Sequence, residues 1–276
     1  MKISKKGLRL FFIYVLCILI AIATLFPIYW TFVISAQSKL EIFSGPNFFP
    51  STFHSENYTR PFLQDVYGRY LVNSLIVATG NTLLVIVLAV MSTYAFSRFQ
   101  IPGSSNIFFW TITNRMAPAA VFIVPFFLIF SRLGLRDTRI GLIILYCIFN
   151  LPFAIWLLKG MMDSIPKELD EAAMIDGCSI WGVLVRVIIP LAKPGIMVTA
   201  ILTWIFAWNE YLFASILTNV KARTITTGLI EFVTVIGTNW GEMAAVSMVC
   251  LIPAVVFIGI AQQHIITGLT FGAVKD

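Results

Sequence analysis

An all-α membrane protein is the fold class this sequence predicts: six transmembrane helices, with a polar helical loop on the cytoplasmic side between helices 4 and 5. Three observations lead there. Hydrophobic residues make up 59% of the 276, charged residues only 12%, and the mean hydropathy is +0.90, whereas a soluble domain carries about 25% charged residues. Six apolar runs come close to or exceed the ~20 residues that a bilayer-spanning helix requires; they cover residues 10–34, 70–96, 107–130, 140–158, 196–217 and 243–266. These runs are too long for barrel strands, and hydrocarbon offers no water to satisfy an exposed backbone, so helices are expected. Spans and connections use residues 1–276 as one transmembrane domain.

Lys2, Lys5, Lys6 and Arg9 precede the first run, as in a secretory leader. A leader's apolar region is about 7–15 residues, and this run is about 25. Ser35-Ala36 mimics a cleavage site, but the length favours a retained helix. An even number of spans puts both termini on one side. With the N-terminus inside, inner segments hold 10 Lys and Arg and outer segments hold eight, with Arg115 inside a span. The four charges before the first span weigh most, so cytoplasmic termini in a cytoplasmic (inner) membrane are expected. The net charge of +6 suits a membrane protein and gives no reason to invoke nucleic acid.

The loop 36–69 after the first span is punctuated by Gly45-Pro46, Pro50-Ser51 and Arg60-Pro61. Its aromatics, among them Phe48, Phe49, Phe53 and Tyr58, suit the membrane interface. Pro102-Gly103 breaks the connection between the second and third runs. Cys17, Cys147, Cys178 and Cys250 have no C-x-x-C spacing, and His54 and His264 stand alone, so no metal-site pattern exists.

Between Lys159 and Gly195 the helix signals are local. Ser164 can cap a helix start, and Pro166 suits a first turn. Glu168, Asp170 and Glu171 then place negative charge at the positive end of the helix dipole. Asp176-Gly177 offers a C-terminal stop, because glycine tolerates the left-handed conformation that ends many helices. A second helix over 179–189 is expected to close at Pro190, with Lys193-Pro194-Gly195 leading into the fifth span. Ala172, Ala173 and Gly177 make the first helix small enough for close approach, while Glu171 projects a charge. On these residues alone the loop reads equally well as a docking element and as a solvated hairpin.

Glu171-Ala172-Ala173, three residues, Gly177, nine residues and Val187-Ile188-Ile189-Pro190 resemble the EAA loop of ABC-importer permeases. That loop commonly ends in Ile-x-Leu-Pro, and Val187 and Ile189 keep its apolar character. Tyr94-Ala95-Phe96-Ser97-Arg98-Phe99, Trp208-Asn209-Glu210-Tyr211 and Gly268-Leu269-Thr270-x-Gly272-Ala273-Val274-Lys275 are similar to the carbohydrate-uptake branch, the six-helix subunit of the maltose-permease type. The resemblance implies an ATP-driven importer for a sugar, oligosaccharide or polyol, with a glycerol-phosphate or other small polar solute as the alternative. It implies a second homologous permease subunit, two ATPase subunits and an external solute-binding protein. It implies that Glu171, Ala172, Ala173, Asp176 and Gly177 form the coupling helix docked on the ATPase. The chain has no Gly-x-x-x-x-Gly-Lys-Ser/Thr phosphate loop. No cofactor is therefore expected on this chain, and ATP and Mg belong to the partner.

Arg115 in the third run and Glu210 in the fifth are ionisable groups where unpaired charge is costly. At ~1.5 Å rise per residue they differ by about 10 Å in depth, so a tilted ion pair and separate placement on a shared cavity stand equal. Asn73, Asn81, Asn114, Asn150, Asn209 and Gln262 suit a hydroxylated solute, and equally suit helix-to-helix bonding. Trp204, Trp208 and Tyr211 could stack on sugar faces or pack in a core. Pro118, Pro125, Pro152 and Pro253 are expected to interrupt their spans. Two other classes fit less well. An ion-coupled carrier lacks a series of membrane carboxylates, and an intramembrane enzyme lacks paired carboxylates, His-Glu-x-x-His or Gly-x-Ser-x-Gly.

Overall fold

A computed structural model describes residues 5–64, 66–113, 116–234 and 237–270, with side chains placed except at 5, 6, 8 and 260–270. Arg115 and Asn114 lie outside the described residues, as do the side chains of Gln262 and His264 and the final residues 271–276. The helices in order are α1 Lys5–Ala36, α2 Lys39–Ser44, α3 Glu56–Thr59, α4 Tyr67–Arg98, α5 Ser104–Thr113, α6 Ile123–Arg132 and α7 Arg139–Ser164. They continue with α8 Glu168–Ile175, α9 Ile180–Val183, α10 Ile189–Trp208, α11 Leu212–Leu217, α12 Ile225–Gly228 and α13 Trp240–Thr270. A two-stranded antiparallel ribbon, β1 Val233–Thr234 and β2 Gly237–Thr238, precedes α13.

Five helical stretches among the described residues are long and apolar enough to cross a membrane: Arg9–Ala36, Tyr67–Arg98, Arg139–Ser164, Ile180–Trp208 and Trp240–Gly259. Ala119–Arg132 is a shorter apolar helical stretch. The multi-pass character expected from hydropathy is thus present, but the third predicted span is not a continuous helix. Its first half is α5, and after Pro118 a 3₁₀ turn over Ala119–Phe122 leads into α6. Pro118 is extended (φ −59°, ψ 122°), and its ring lacks the N–H a continuous helix needs. Pro125 falls in the first turn of α6, where a missing N–H costs nothing. Pro152 and Pro253, expected to interrupt, lie inside unbroken α7 and α13. In a membrane helix, neighbouring groups and local adjustments make up for the lost bond.

Two further boundaries differ from expectation. The fifth span ends at Trp208 and resumes as α11, with residues 209–211 between. The helix expected to close at Pro190 instead runs on: a π turn over Leu184–Ile188 joins α9 to α10, and Pro190 sits at the start of α10. A wider i→i+5 turn just before a proline rearranges the carbonyls that its ring would otherwise strike.

The chain forms two compact units. One comprises residues 1–68 and 229–252. There the loop after α1 is tied down by Asn57, whose Nδ2 donates to the carbonyls of Ser35 (3.0 Å) and Gln37 (2.9 Å). Ser38 and Glu41 form a reciprocal cap at the start of α2. Tyr67 stacks on Phe232 at 4.7 Å, and Arg60 meets Glu242 at 3.3 Å. Over most of its length α1 is apolar on every side and exposed, Phe11 and Phe12 by 61% and 62%, as expected of a helix that needs lipid or a partner around it.

The other unit comprises residues 69–228 and 253–276. Its core joins Val85, Ala89, Val90 and Tyr94 of α4 to Ala154, Ile155, Leu158 and Met162 of α7 and to Val183, Leu184 and Ile188. Near the other end of α4, Asn73 donates to the carbonyls of Lys221 and Arg223 and accepts from Arg139 Nε (2.8 Å). Asn150 donates to Asn81 Oδ1 (2.9 Å), and Asn81 donates to the Ile143 carbonyl (3.0 Å). Both groups join α4 to its neighbours.

Asp137 adds a lock that sequence patterning did not announce. Its backbone is left-handed (φ 55°), and its N–H donates to the Leu217 carbonyl at 2.8 Å. Its carboxylate accepts from four successive backbone N–H groups, those of Asn219, Val220, Lys221 and Ala222, at 3.0–3.2 Å. Partial burial works against the charge, but these donors prevail and hold the carboxyl down at about 2. A depressed folded pKa stabilises fully above the unfolded value of ~3.9, and that contribution disappears as pH falls through the folded value. The 219–222 amides are therefore expected to stay protected from hydrogen exchange at pH 5. Asp137→Ala should expose them at that pH, and equal protection in the variant would rule the lock out.

Candidate functional site

The polar segment between α7 and α10 has one face in the core and one face open. α8 begins at Glu168 after Lys167, which gives no side-chain cap. Ser164, expected to cap, instead ends α7 and donates to the Met161 carbonyl (2.7 Å). The acidic first turn of Glu168, Asp170 and Glu171 serves the dipole instead. At the other end Gly177 is left-handed (φ 87°). Gly177 N donates to the Met174 carbonyl and Cys178 N to that of Ala173, both at 3.0 Å, so the last carbonyls are satisfied. A Cβ on Gly177 would meet nothing within 4 Å. Within this chain glycine is therefore required here for its backbone conformation.

Asp170 and Ala173 face inward, Asp170 only 5% exposed and Ala173 packed on the core cluster. Glu171, Ala172, Asp176 and Gly177 face out. Beside them Ile175 is 86% exposed and Trp181 62%, apolar surface that sequence reading passed over. Ser179 caps α9, accepting from Gly182 N at 3.2 Å.

Arg98 holds this element to α4. Its Nε donates to Asp170 Oδ2 at 2.9 Å, and both side chains are less than a tenth exposed. Its guanidinium also donates to the carbonyls of Ile165 (3.1 Å) and Met162 (3.5 Å) at the C-terminal end of α7, where Met162 O accepts as well from the Ile165 N–H (3.3 Å). Next to it Ser97 Oγ donates to Asp163 Oδ1, and Lys159 Nζ to Asp163 Oδ2, both at 2.6 Å. In sequence Arg98 is legible as a charge and part of a motif, and Asp170 as a dipole complement. The i, i+3 spacing of Asp170 and Ala173, which share the inward face, is the signal that Asp170 is buried.

The second candidate patch is 208–211. Trp208 is 6% exposed and stacks on Trp204 at 4.9 Å, which stacks on Phe257 at 4.5 Å, so both tryptophans belong to a packed core. Glu210 accepts from the N–H groups of Phe213 (2.9 Å) and Ala214 (3.1 Å) and so closes the start of α11. Its carbonyl accepts from Thr226 Oγ1 at 2.9 Å. Asn209 is exposed and its amide donates to the Ile205 carbonyl (2.9 Å), while Tyr211 is 40% exposed. Asn150 is buried and bonded to Asn81. Among the described residues no cluster of three or more His, Cys, Asp or Glu could hold a metal ion.

Comparison with known proteins adds to this geometry. The family model for "Binding-protein-dependent transport system inner membrane component" matches residues 85–270. The trehalose transport system permease protein SugB of Mycobacterium tuberculosis is 36% identical, over 91% of this chain and 92% of its own. The trehalose/maltose transport system permease protein MalG of Thermococcus litoralis is 35% identical over 94% of both chains. Among solved structures, a chain of a bacterial ABC transporter involved in import of the acidic polysaccharide alginate superposes with a TM-score of 0.81. At 24% identity it covers 96% of this chain and all of that one, and shows the fold.

Proposed function

Because this chain belongs to the binding-protein-dependent transport system inner membrane components, a family of ABC-importer permeases, we propose that its cargo is a carbohydrate and that α8 is its coupling helix. The permease is not itself an enzyme: its relatives are permease subunits, and the fuel is burned elsewhere. On this reading residues 1–276 act as one domain with six membrane crossings, the broken α5–α6 stretch being the third. Both termini and the 159–195 loop lie on the cytoplasmic side of the inner membrane. The chain forms half of the pathway with a second homologous permease. Two ATPase subunits use ATP and Mg, and an external solute-binding protein delivers the cargo.

The observation that carries the reading is the division of α8 into a face bolted to the core through Asp170 and an open face presenting Glu171, Ala172 and Ile175. A soluble partner can grip such a helix from one side while the other side moves the bundle. The cargo class is supported by relatives named for trehalose and maltose. For the cargo path we propose Asn209, Glu210 and Tyr211, which lie at the interruption between α10 and α11; interrupted helices in transporters often line the solute cavity. Arg115 joins them as a proposal from its sequence position.

The test is reconstitution of the four-subunit complex with its receptor in proteoliposomes, scored against a panel of sugars. Uptake is expected only with ATP and loaded receptor. Accumulation by this chain alone without nucleotide would refute the scheme, as would labelling that finds Glu171 outside. Tyr211→Ala is expected to lower uptake with ATPase association unchanged, and full uptake by that variant would remove it from the path.

A further inference from the structure

We propose that the Arg98–Asp170 ion pair is the strut through which α8 moves α4, so that force enters the bundle across the buried face of the coupling helix and not along the chain alone. The proposal rests on the reading of α8 as the element gripped by the ATPase. Arg98 and Asp170 are positioning residues in it, since neither touches cargo or nucleotide.

Along the chain, α8 is joined to its neighbours by short turns, residues 165–167 before it and 176–179 after it. Turns of this kind bend when a helix is pushed. Arg98 bridges 72 positions of sequence to reach Asp170 directly. An exposed pair would be too weak and too mobile to carry load. Here both side chains are dry, at 6% and 7% exposure, where screening is slight and geometry is held. Asp170 Oδ1 is buried without a hydrogen-bond partner, and Arg98 supplies the positive charge that balances this carboxylate. Separating the two would leave a buried charge unpaired, and the pair is therefore expected to stay closed while α8 moves.

The other donors of Arg98 reach the Met162 and Ile165 carbonyls. Ser97, one residue earlier, bonds Asp163. The last turn of α4 is thus fixed to the end of α7 and to α8 at once, and a displacement of α8 reaches two membrane helices together. Coupling of this sort requires a packed, continuous element that both sites act on, and the core cluster beneath supplies it.

The experiment uses the full complex in proteoliposomes and measures receptor-stimulated ATP hydrolysis and sugar uptake in the same preparation. For Arg98→Met we expect hydrolysis within about twofold of the parent and uptake per ATP lowered by about tenfold or more. The charge swap Arg98→Asp with Asp170→Arg should recover part of that ratio. A role in folding alone would lower both rates together and leave their ratio unchanged, and that result overturns the proposal. Should Arg98→Met fail to assemble, Arg98→Lys keeps the charge and loses the fork, and is expected to show an intermediate ratio. Failure of both variants to assemble would also overturn it. Glu171→Lys separates the two ideas. If it leaves ATPase association intact, the reading of α8 is wrong. If it breaks association while Arg98→Met keeps a normal ratio, only the strut is wrong.

Discussion

Ile175→Asp is expected to weaken association with the ATPase subunits by about tenfold to a hundredfold while the permease folds as before. Ile175 stands 86% exposed at the end of α8, and full burial of such a side chain is worth about 1.5–3 kcal/mol. Each 1.4 kcal/mol is about tenfold in affinity, and the aspartate adds the cost of drying a charge. Substitutions at so exposed a position change folding stability by about 0.5 kcal/mol or less. Glu171→Lys should act in the same direction, with uptake falling and membrane insertion intact. It reverses a charge in the first turn of α8, where each unit is worth about 0.3–1 kcal/mol to the helix. Titration of detergent-solubilised permease with ATPase, alongside thermal unfolding, gives both quantities. Parental affinity in both variants would mean that α8 is not the contact.

Gly141→Ala should destabilise the protein by about 1–3 kcal/mol, the range expected for overpacking. Intrinsic helix propensity predicts the reverse, a gain of about 1 kcal/mol. Geometry outweighs it: a Cβ at Gly141 would overlap the Leu135 carbonyl oxygen, a backbone atom that cannot rotate away, and would lie 3.0 Å from Thr138 Oγ1. That hydroxyl caps α7 by accepting from Gly141 N, and a lost cap costs about 1 kcal/mol more. The turn that would shift also carries Asp137 and its lock on residues 219–222. In the same helix Gly160 would give a new Cβ nothing to meet within 4 Å, so Gly160→Ala should be neutral or stabilising by up to about 1 kcal/mol. Thermal unfolding of the pair checks this, and equal midpoints would show that the close approach at Gly141 is absent.

The helical class and the positions of the long apolar stretches were legible because bulk transfer into lipid depends on composition and length, which are local quantities. The stop at Asp176-Gly177 was legible for a similar reason, since the left-handed glycine and its two hydrogen bonds involve only near neighbours. Proline positions were visible, yet their effects were not. Pro118 accompanies a break, whereas Pro152, Pro253 and Pro190 lie within or at the start of continuing helices. Whether a missing N–H breaks a helix depends on what the surrounding packing and a neighbouring π turn can absorb. The aromatic patch shows the same limit. Trp208 and Trp204 could equally have faced a solute, and their burial follows from Phe257, about fifty positions further along.

Residue order therefore settled the solvent of this chain, the kind of its secondary structure and the presence of a polar helix with a marked end, all set by interactions spanning a turn or two. Folding in three dimensions chose which side of that helix is anchored, by bringing Arg98 onto Asp170, and which loops are locked, by bringing four amides onto Asp137. Such pairings join positions 72 or more apart. The first draws its strength from burial and the second from the number and direction of its donors, none of which is a property of any short stretch of chain.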